Sequence, residues 1–255
     1  MGWVRNVRFE SGSMTYAEAL KPALSVIDAS LASATGARRA DLLAHTGLAS
    51  FMLWRDGNRE LKPEEYYREA LAVDPSNPYA NAMLAHWTLY NSDDVPKTVG
   101  LFEKALQSGR AVEAVRDLQW ATYGNSSTPE AEVERVRVAA AIRREGRPLT
   151  ARQAQALWNP YFVALNPQRQ TYRERLLAAL PPDEYIAVLP WAFEDYLRDN
   201  PARQQTLRYY LALLHAKAGR HDQATAELGA LERELSESPG SLLDAVRSGL
   251  KPSRR

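Results

Sequence analysis

Apolar residues along this chain recur at helical spacing and are interrupted by turn-forming residues. In YYREALAVDPSNPYANAMLAHW, residues 66–87, Tyr67, Ala70 and Leu71 stand at i, i+3 and i+4 and share one helix face. Asp74-Pro75-Ser76-Asn77 then breaks the pattern, because Pro75 disfavours helical backbone at Asp74 and has no N–H to donate. Ala80, Met83, Leu84 and Trp87 resume it. The same reading predicts helices over 15–33, 37–54, 63–73, 77–91, 95–108, 111–123, 129–145, 150–158, 168–179, 183–198, 202–218, 221–236 and 239–249. Thr128-Pro129-Glu130 marks one start, with Thr128 as cap, Pro129 in the first turn, and Glu130, Glu132 and Glu134 near the positive end of the helix. Arg143, Arg144 and Gly146 close it. An alternating pattern occurs in WVRNVRF, residues 3–9, which reads as a short strand or an ordered arm.

The helices repeat. YYREAL (66–71) aligns with LFEKAL (101–106), so that Tyr67, Ala70 and Leu71 map to Phe102, Ala105 and Leu106. Leu48-Ala49 maps to Leu84-Ala85, Leu84 to Leu118, and Thr88 to Thr122. Val138, Ala141 and Ile142 continue the series, and Phe193 and Tyr196 map to Leu228 and Leu231. The period is lost from about 147 to 181, a stretch holding Pro148, Pro160, Pro167 and Pro181. A helix pair of this size is too small to bury its own apolar face, so neighbouring pairs must stack and share a core.

This pattern resembles the tetratricopeptide repeat (TPR) family, whose unit is about 34 residues of helix–turn–helix. In YYLALLHAKAGRHDQATAELGAL, Leu211-Ala212 match the paired large and small positions of the family's first helix, and Gly219 its turn glycine. Ala224 matches the small residue opening the second helix, and Leu228 and Leu231 match its large positions. Four departures stand out. The turn around 55–63 is a residue or two too long, Pro63 stands where the family prefers alanine, the family's early Trp is missing from its usual place, and Gln119 replaces a small residue. The resemblance covers about 40–145 and 183–236. It implies an all-α fold, a right-handed α-solenoid of antiparallel helix pairs, with an irregular middle segment. The expected organisation is an N-terminal arm or linker over 1–14, repeats over 15–146, and an irregular helical connection over 147–182. A C-terminal repeat with a capping helix over 183–250 and a frayed tail over 251–255 complete it.

Composition narrows the chemistry. The 255 residues are 45% hydrophobic and 25% charged with a net charge of +1, so no bulk field argues for nucleic acid or an anionic membrane. The absence of cysteine excludes disulfides, thiol catalysis and Cys-ligated metal centres. No apolar run approaches the ~18 residues of a membrane helix, so no direct membrane insertion is expected. Arginine outnumbers lysine and alanine is abundant, a composition expected of a GC-rich bacterial genome. The cytoplasm is the working expectation for its compartment, with the periplasm the alternative if a leader has been removed.

No motif points to catalysis. The four histidines, His45, His86, His215 and His221, form no metal-ligand spacing, and no metal or cofactor is expected. Glu64-Glu65 and Glu194-Asp195 are adjacent on helices and so diverge, which suits a solvated face better than an acid–base pair. Neither a phosphate loop nor a nucleophile elbow occurs. Arg135, Arg137, Arg143, Arg144, Arg147 and Arg152 form a basic stretch, offset by Glu130, Glu132 and Glu134, and nucleic-acid binding is not expected.

What the resemblance implies is a groove lined by the first helix of each pair. Anchored on Leu84 and Leu118, the stripe facing a ligand runs through Tyr79, Ala82, His86 and Tyr90, then Arg116, Trp120 and Tyr123, with Trp54 from the preceding unit, and its seven larger residues are the candidates. In the family, Lys and Asn at such positions clamp a terminal carboxylate. Here aromatic residues predominate, which suits a peptide or protein partner with apolar anchors. The expectation is a non-catalytic interaction scaffold. The alternatives are that some of these aromatics are core, or that the chain is a sensory or regulatory segment of a larger signalling protein. A third is a small-molecule binder using Trp158, Tyr161, Phe162 and Tyr172 in the irregular middle.

Overall fold

A computed structural model describes residues 15–126, 128–164, 182–217 and 219–236. Among these residues there is no strand, and they form eleven α-helices and one 3-10 helix. They are α1 (Tyr16–Leu31), α2 (Gly36–Arg55), α3 (Pro63–Val73), α4 (Pro78–Ser92), α5 (Val95–Gln107) and α6 (Val112–Tyr123). There follow α7 (Pro129–Arg144), α8 (Ala151–Ala164), α9 (Pro182–Asp199), the 3-10 turn Pro201–Arg203, α10 (Gln204–Lys217) and α11 (His221–Ser236). The expected strand at 3–9, the helices at 168–179 and 239–249, and the tail lie outside the described residues.

Local chemistry accounts for the helix starts. Thr15 and Glu18 form a reciprocal cap on α1, with the Thr15 hydroxyl accepting from the Glu18 N–H at 3.2 Å and Glu18 accepting from the Thr15 N–H at 2.8 Å. Asn77 caps α4, Asp94 caps α5 and Thr128 caps α7, each accepting from an N–H three residues on. A proline sits in the first turn of all three. One expected stop is absent. Helix α8 runs through Pro160 to Ala164 rather than ending near 158. Proline removes a single backbone bond, and the bonds on either side can carry the helix past it.

The chain divides into two compact units, Met1–Ser126 and Ser127–Arg255. This places α7 in the second unit, where it packs on α8 and α9, whereas the sequence pattern carries the first repeats to 146. Periodicity marks a helix face but not which neighbour covers it.

Within the first unit α2 packs on α3 and α4, and α4 on α5 and α6, so that α2, α4 and α6 are in contact in succession. The core they enclose contains Leu43, Leu48, Phe51, Tyr67, Ala70, Ala80 and Met83. Gly47 lets the Tyr67 ring lie directly on the α2 backbone, where a Cβ would come within 2.5 Å of Tyr67 Cε1. That enclosure pushes the Tyr67 phenol pKa upward.

The Asp74-Pro75-Ser76-Asn77 turn is held by Asp74, which accepts from Ser76 N–H at 3.1 Å and from its hydroxyl at 2.7 Å. Asn77 donates to Asp41 of α2 at 2.6 Å. Arg110, just before α6, pairs with the same Asp41 at 3.0 Å. One carboxylate thus ties together the starts of α4 and α6.

In the second unit α9 packs on α7, α8 and α10, and α10 on α11. Tyr185, Ile186, Leu189, Ala192, Phe193 and Tyr196 of α9 are buried. Asp195 is buried with them, its side chain 0% exposed. It accepts from the Leu149 N–H at 2.7 Å and from Arg198 at 2.6 Å, with Arg143 at 3.6 Å. The expected solvated face at Glu194-Asp195 is therefore corrected: Glu194 is exposed, and Asp195 is an enclosed anchor for the loop between α7 and α8. A helix turns by about 100° per residue, so adjacent carboxylates meet different surroundings.

Candidate aromatic docking site

The ends of α2 and α4 bring five aromatic rings together. Phe51 and Trp54 are one turn apart on α2, as are Trp87 and Tyr90 on α4, with His86 beside them. Phe51, itself buried, is the hub. Its ring centroid lies 5.2 Å from His86 and from Tyr90, 5.9 Å from Trp87 and 6.3 Å from Trp54. Trp54 lies 5.4 Å from Trp87 and 5.9 Å from Tyr90. All but the Phe51–Trp54 pair meet edge to face, the arrangement favoured by the ring quadrupole. The outer members remain open to solvent: Trp54 and Trp87 are half-buried and Tyr90 is 46% exposed.

His86 is 8% exposed and is held by α6. Its Nδ1 lies 2.8 Å from Thr122 Oγ1, and the Thr122 hydroxyl donates to the Leu118 carbonyl at 2.6 Å. Since that hydroxyl proton is already used, His86 Nδ1 is the donor to Thr122. Next to this pair a cleft of about 170 Å³ is lined by His86, Leu89, Tyr90, Asp93, Thr122 and Asn125, with Ser126. Asp93 caps α4 with φ at +51°, a left-handed conformation that a short polar side chain tolerates. Its exposed carboxylate stands at the cleft.

The seven candidate groove residues separate into distinct environments. Trp54, His86 and Tyr90 meet in the cluster. Tyr79 sits near the start of α4, against His45 at 4.8 Å. Arg116 and Trp120 are half-buried on α6, and Arg116 donates to Gln119 at 3.0 Å. Tyr123 is corrected outright: it is 0% exposed and packs on Phe102 at 5.8 Å, so it fills the core and cannot reach a partner. Phe51, Trp87, Arg55 and Arg59 belong to the site and are absent from the sequence-derived stripe. Phe51 was detectable, since it precedes Trp54 by three residues. Arg55 was detectable too, one turn after Phe51 on the same helix, whereas Arg59 carries no such signal, because the turn after α2 decides where it goes.

The basic stretch in the second unit is largely engaged within the chain. Arg135 pairs with Glu132 at 3.0 Å, Arg137 with Glu184 at 2.9 Å, and Arg143 with Glu194 at 2.8 Å. The Arg137 guanidinium holds the Glu184 carboxyl below the usual carboxylate range. Trp158, Tyr161 and Phe162 lie along α8, while Tyr172 is outside the described residues. Among the described residues no His, Asp and Glu side chains gather in a metal-binding group, and no helix is long and apolar enough to cross a membrane.

Compared with protein-family models and with curated proteins, the chain matches none of them.

Proposed function

We propose that the protein is a non-catalytic interaction scaffold, a TPR-like α-solenoid that docks a segment of a partner protein on its first helices. The observation that carries this reading is the aromatic ledge. Trp54, Trp87 and Tyr90 remain open to solvent around a buried Phe51, on helices that pack directly on each other. Ordinary core packing encloses such rings. Rigid aromatic side chains lose little conformational entropy on binding and dominate interface energetics. The period of the sequence and the succession α2–α4–α6 support the repeat reading. The partner inserts an apolar anchor side chain between the rings, and no cofactor is required.

The test compares wild type with a Trp54→Ala, Tyr90→Ala variant of unchanged helical content. Each is used to capture partners, and a photo-crosslinker at position 90 maps the contact. Loss of a captured protein in the variant, with crosslinks to one segment of that protein, is the expected result. The truncation should cost about 2 kcal/mol of affinity, roughly thirtyfold. Equal capture by both proteins refutes the ledge as the docking surface.

A further inference from the structure

The last residue of α2 and the turn that follows it lay two arginines over the aromatic ledge. Arg55 holds its guanidinium carbon 5.8 Å from the ring centroids of both Phe51 and Tyr90. Arg59 lies 3.8 Å over the Trp54 ring. Gly57 makes this possible, because its φ of +115° is one that residues with a side chain rarely adopt. Its N–H bonds the Trp54 carbonyl at 3.1 Å and the Asn58 N–H bonds Leu53 at 3.2 Å, so the turn folds back against α2. This is the turn that is too long for the family's repeat, and the extra length delivers Arg59 to the indole.

Both arginines are exposed, and among the described residues neither guanidinium makes a hydrogen bond or ion pair. Other arginines of the same unit are engaged: Arg39 with Glu69, Arg68 with Glu64, and Arg110 with Asp41. A guanidinium held over a ring keeps its in-plane N–H donors available. It also has less rotamer freedom left to lose when a ligand arrives. Such a fork matches a carboxylate.

We propose that the ledge selects a partner segment in which an Asp or Glu side chain stands beside the apolar anchor. The rings take the anchor, and Arg55 and Arg59 take the carboxylate. This rests on the scaffold reading above and adds the chemistry of the partner. Asp93 sets the direction. Its carboxylate at the cleft has no ion pair among the described residues and repels an acidic group there, so the acid is steered to the arginine side.

The test is fluorescence polarisation with short labelled peptides on one Gly-Ser frame. One carries Leu-Trp flanked by Glu, a second Leu-Trp flanked by Gln, a third Leu-Trp flanked by Lys, and a fourth Glu flanking Ser-Ser. The Glu peptide with Leu-Trp should bind about tenfold tighter than its Gln counterpart. That advantage should shrink with added salt and vanish in Arg55→Gln, Arg59→Gln, two exposed positions whose change leaves the core intact. Equal affinity for the Glu and Gln peptides overturns the proposal, as does preference for Lys or an advantage unchanged in the arginine variant. If the Glu and Gln peptides bind equally but both are lost in Trp54→Ala, Tyr90→Ala, the ledge still docks partners and only its acid selectivity fails. If no peptide binds, the acid-selective ledge is refuted, and the capture experiment decides the scaffold reading separately.

Discussion

Replacing Gly47 by alanine tests the central packing contact of the first unit. The change should help α2 in isolation, because alanine in a helix interior is favoured over glycine by about 1 kcal/mol. The contact opposes it. The new Cβ would stand 2.5 Å from Tyr67 Cε1, 2.8 Å from Cδ1 and 3.1 Å from the Cβ of Tyr66. Ordinary carbon contacts lie at about 3.5–4.0 Å, so the ring must retreat by about 1 Å. Tyr67 is fully enclosed and has nowhere to retreat without moving α3. Overpacking of this kind costs about 1–3 kcal/mol, and the upper end applies where the obstacle is a buried ring. The net expectation is a loss of about 1–2 kcal/mol. Gly100 in α5 is the control, since a Cβ there meets nothing within 4 Å. Gly100→Ala should gain up to about 1 kcal/mol. Urea unfolding followed by circular dichroism reads both. A Gly47→Ala, Tyr67→Leu cycle should show coupling of about 1 kcal/mol or more. Gly47→Ala as stable as wild type, or more so, refutes the contact.

Other outcomes follow from single contacts. Asn77→Ala removes the α4 cap and the bond to Asp41 from a fully buried position, and should cost about 1–3 kcal/mol in the same unfolding assay. Tyr123→Ala should cost about 3–5 kcal/mol, while exposed Tyr90→Ala should cost below about 1 kcal/mol, although both were candidates for the same surface. Asp195→Ala leaves the Leu149 N–H without its acceptor and takes a partner from Arg198 and Arg143, and should cost about 2–4 kcal/mol. The Glu184 carboxyl is held low by Arg137, so the pair contributes above the ordinary carboxylate range and its contribution fades as pH falls through and below that range. Wild type should therefore exceed Arg137→Gln in stability at neutral pH, by less than about 1 kcal/mol for so exposed a pair. In urea titrations at several pH values the gap should close on acidification.

The helices were legible because their punctuation is local. Thr128-Pro129, Asp74-Pro75 and Gly219 act through their own backbone, and no distant contact is needed to read them. Core positions such as Tyr67, Ala70, Phe102 and Ala105 were legible because the period of the sequence sets them at matching positions, and all four are buried. Tyr123 and Tyr90 show where periodicity ends. Both fall on the expected stripe, but Tyr123 meets Phe102 of α5 and is covered, while Tyr90 stays 46% exposed. Asp195 was misread for a related reason, since the loop that buries it comes from residue 149, far away in sequence. Arg59 depends on the dihedral angle of one glycine, which no pattern of side chains encodes.

The Asp41 clasp bears on how the first unit comes apart. A stack in which each helix pair touches only the next unfolds from its ends, one pair at a time. Asp41 and Arg110 are 69 residues apart in sequence, and Asp41 also holds the cap of the helix between them. Fraying at α2 therefore weakens α4 and α6 in the same step. The three helices are expected to open as one cooperative block, with the aromatic ledge keeping its spacing until that block gives way.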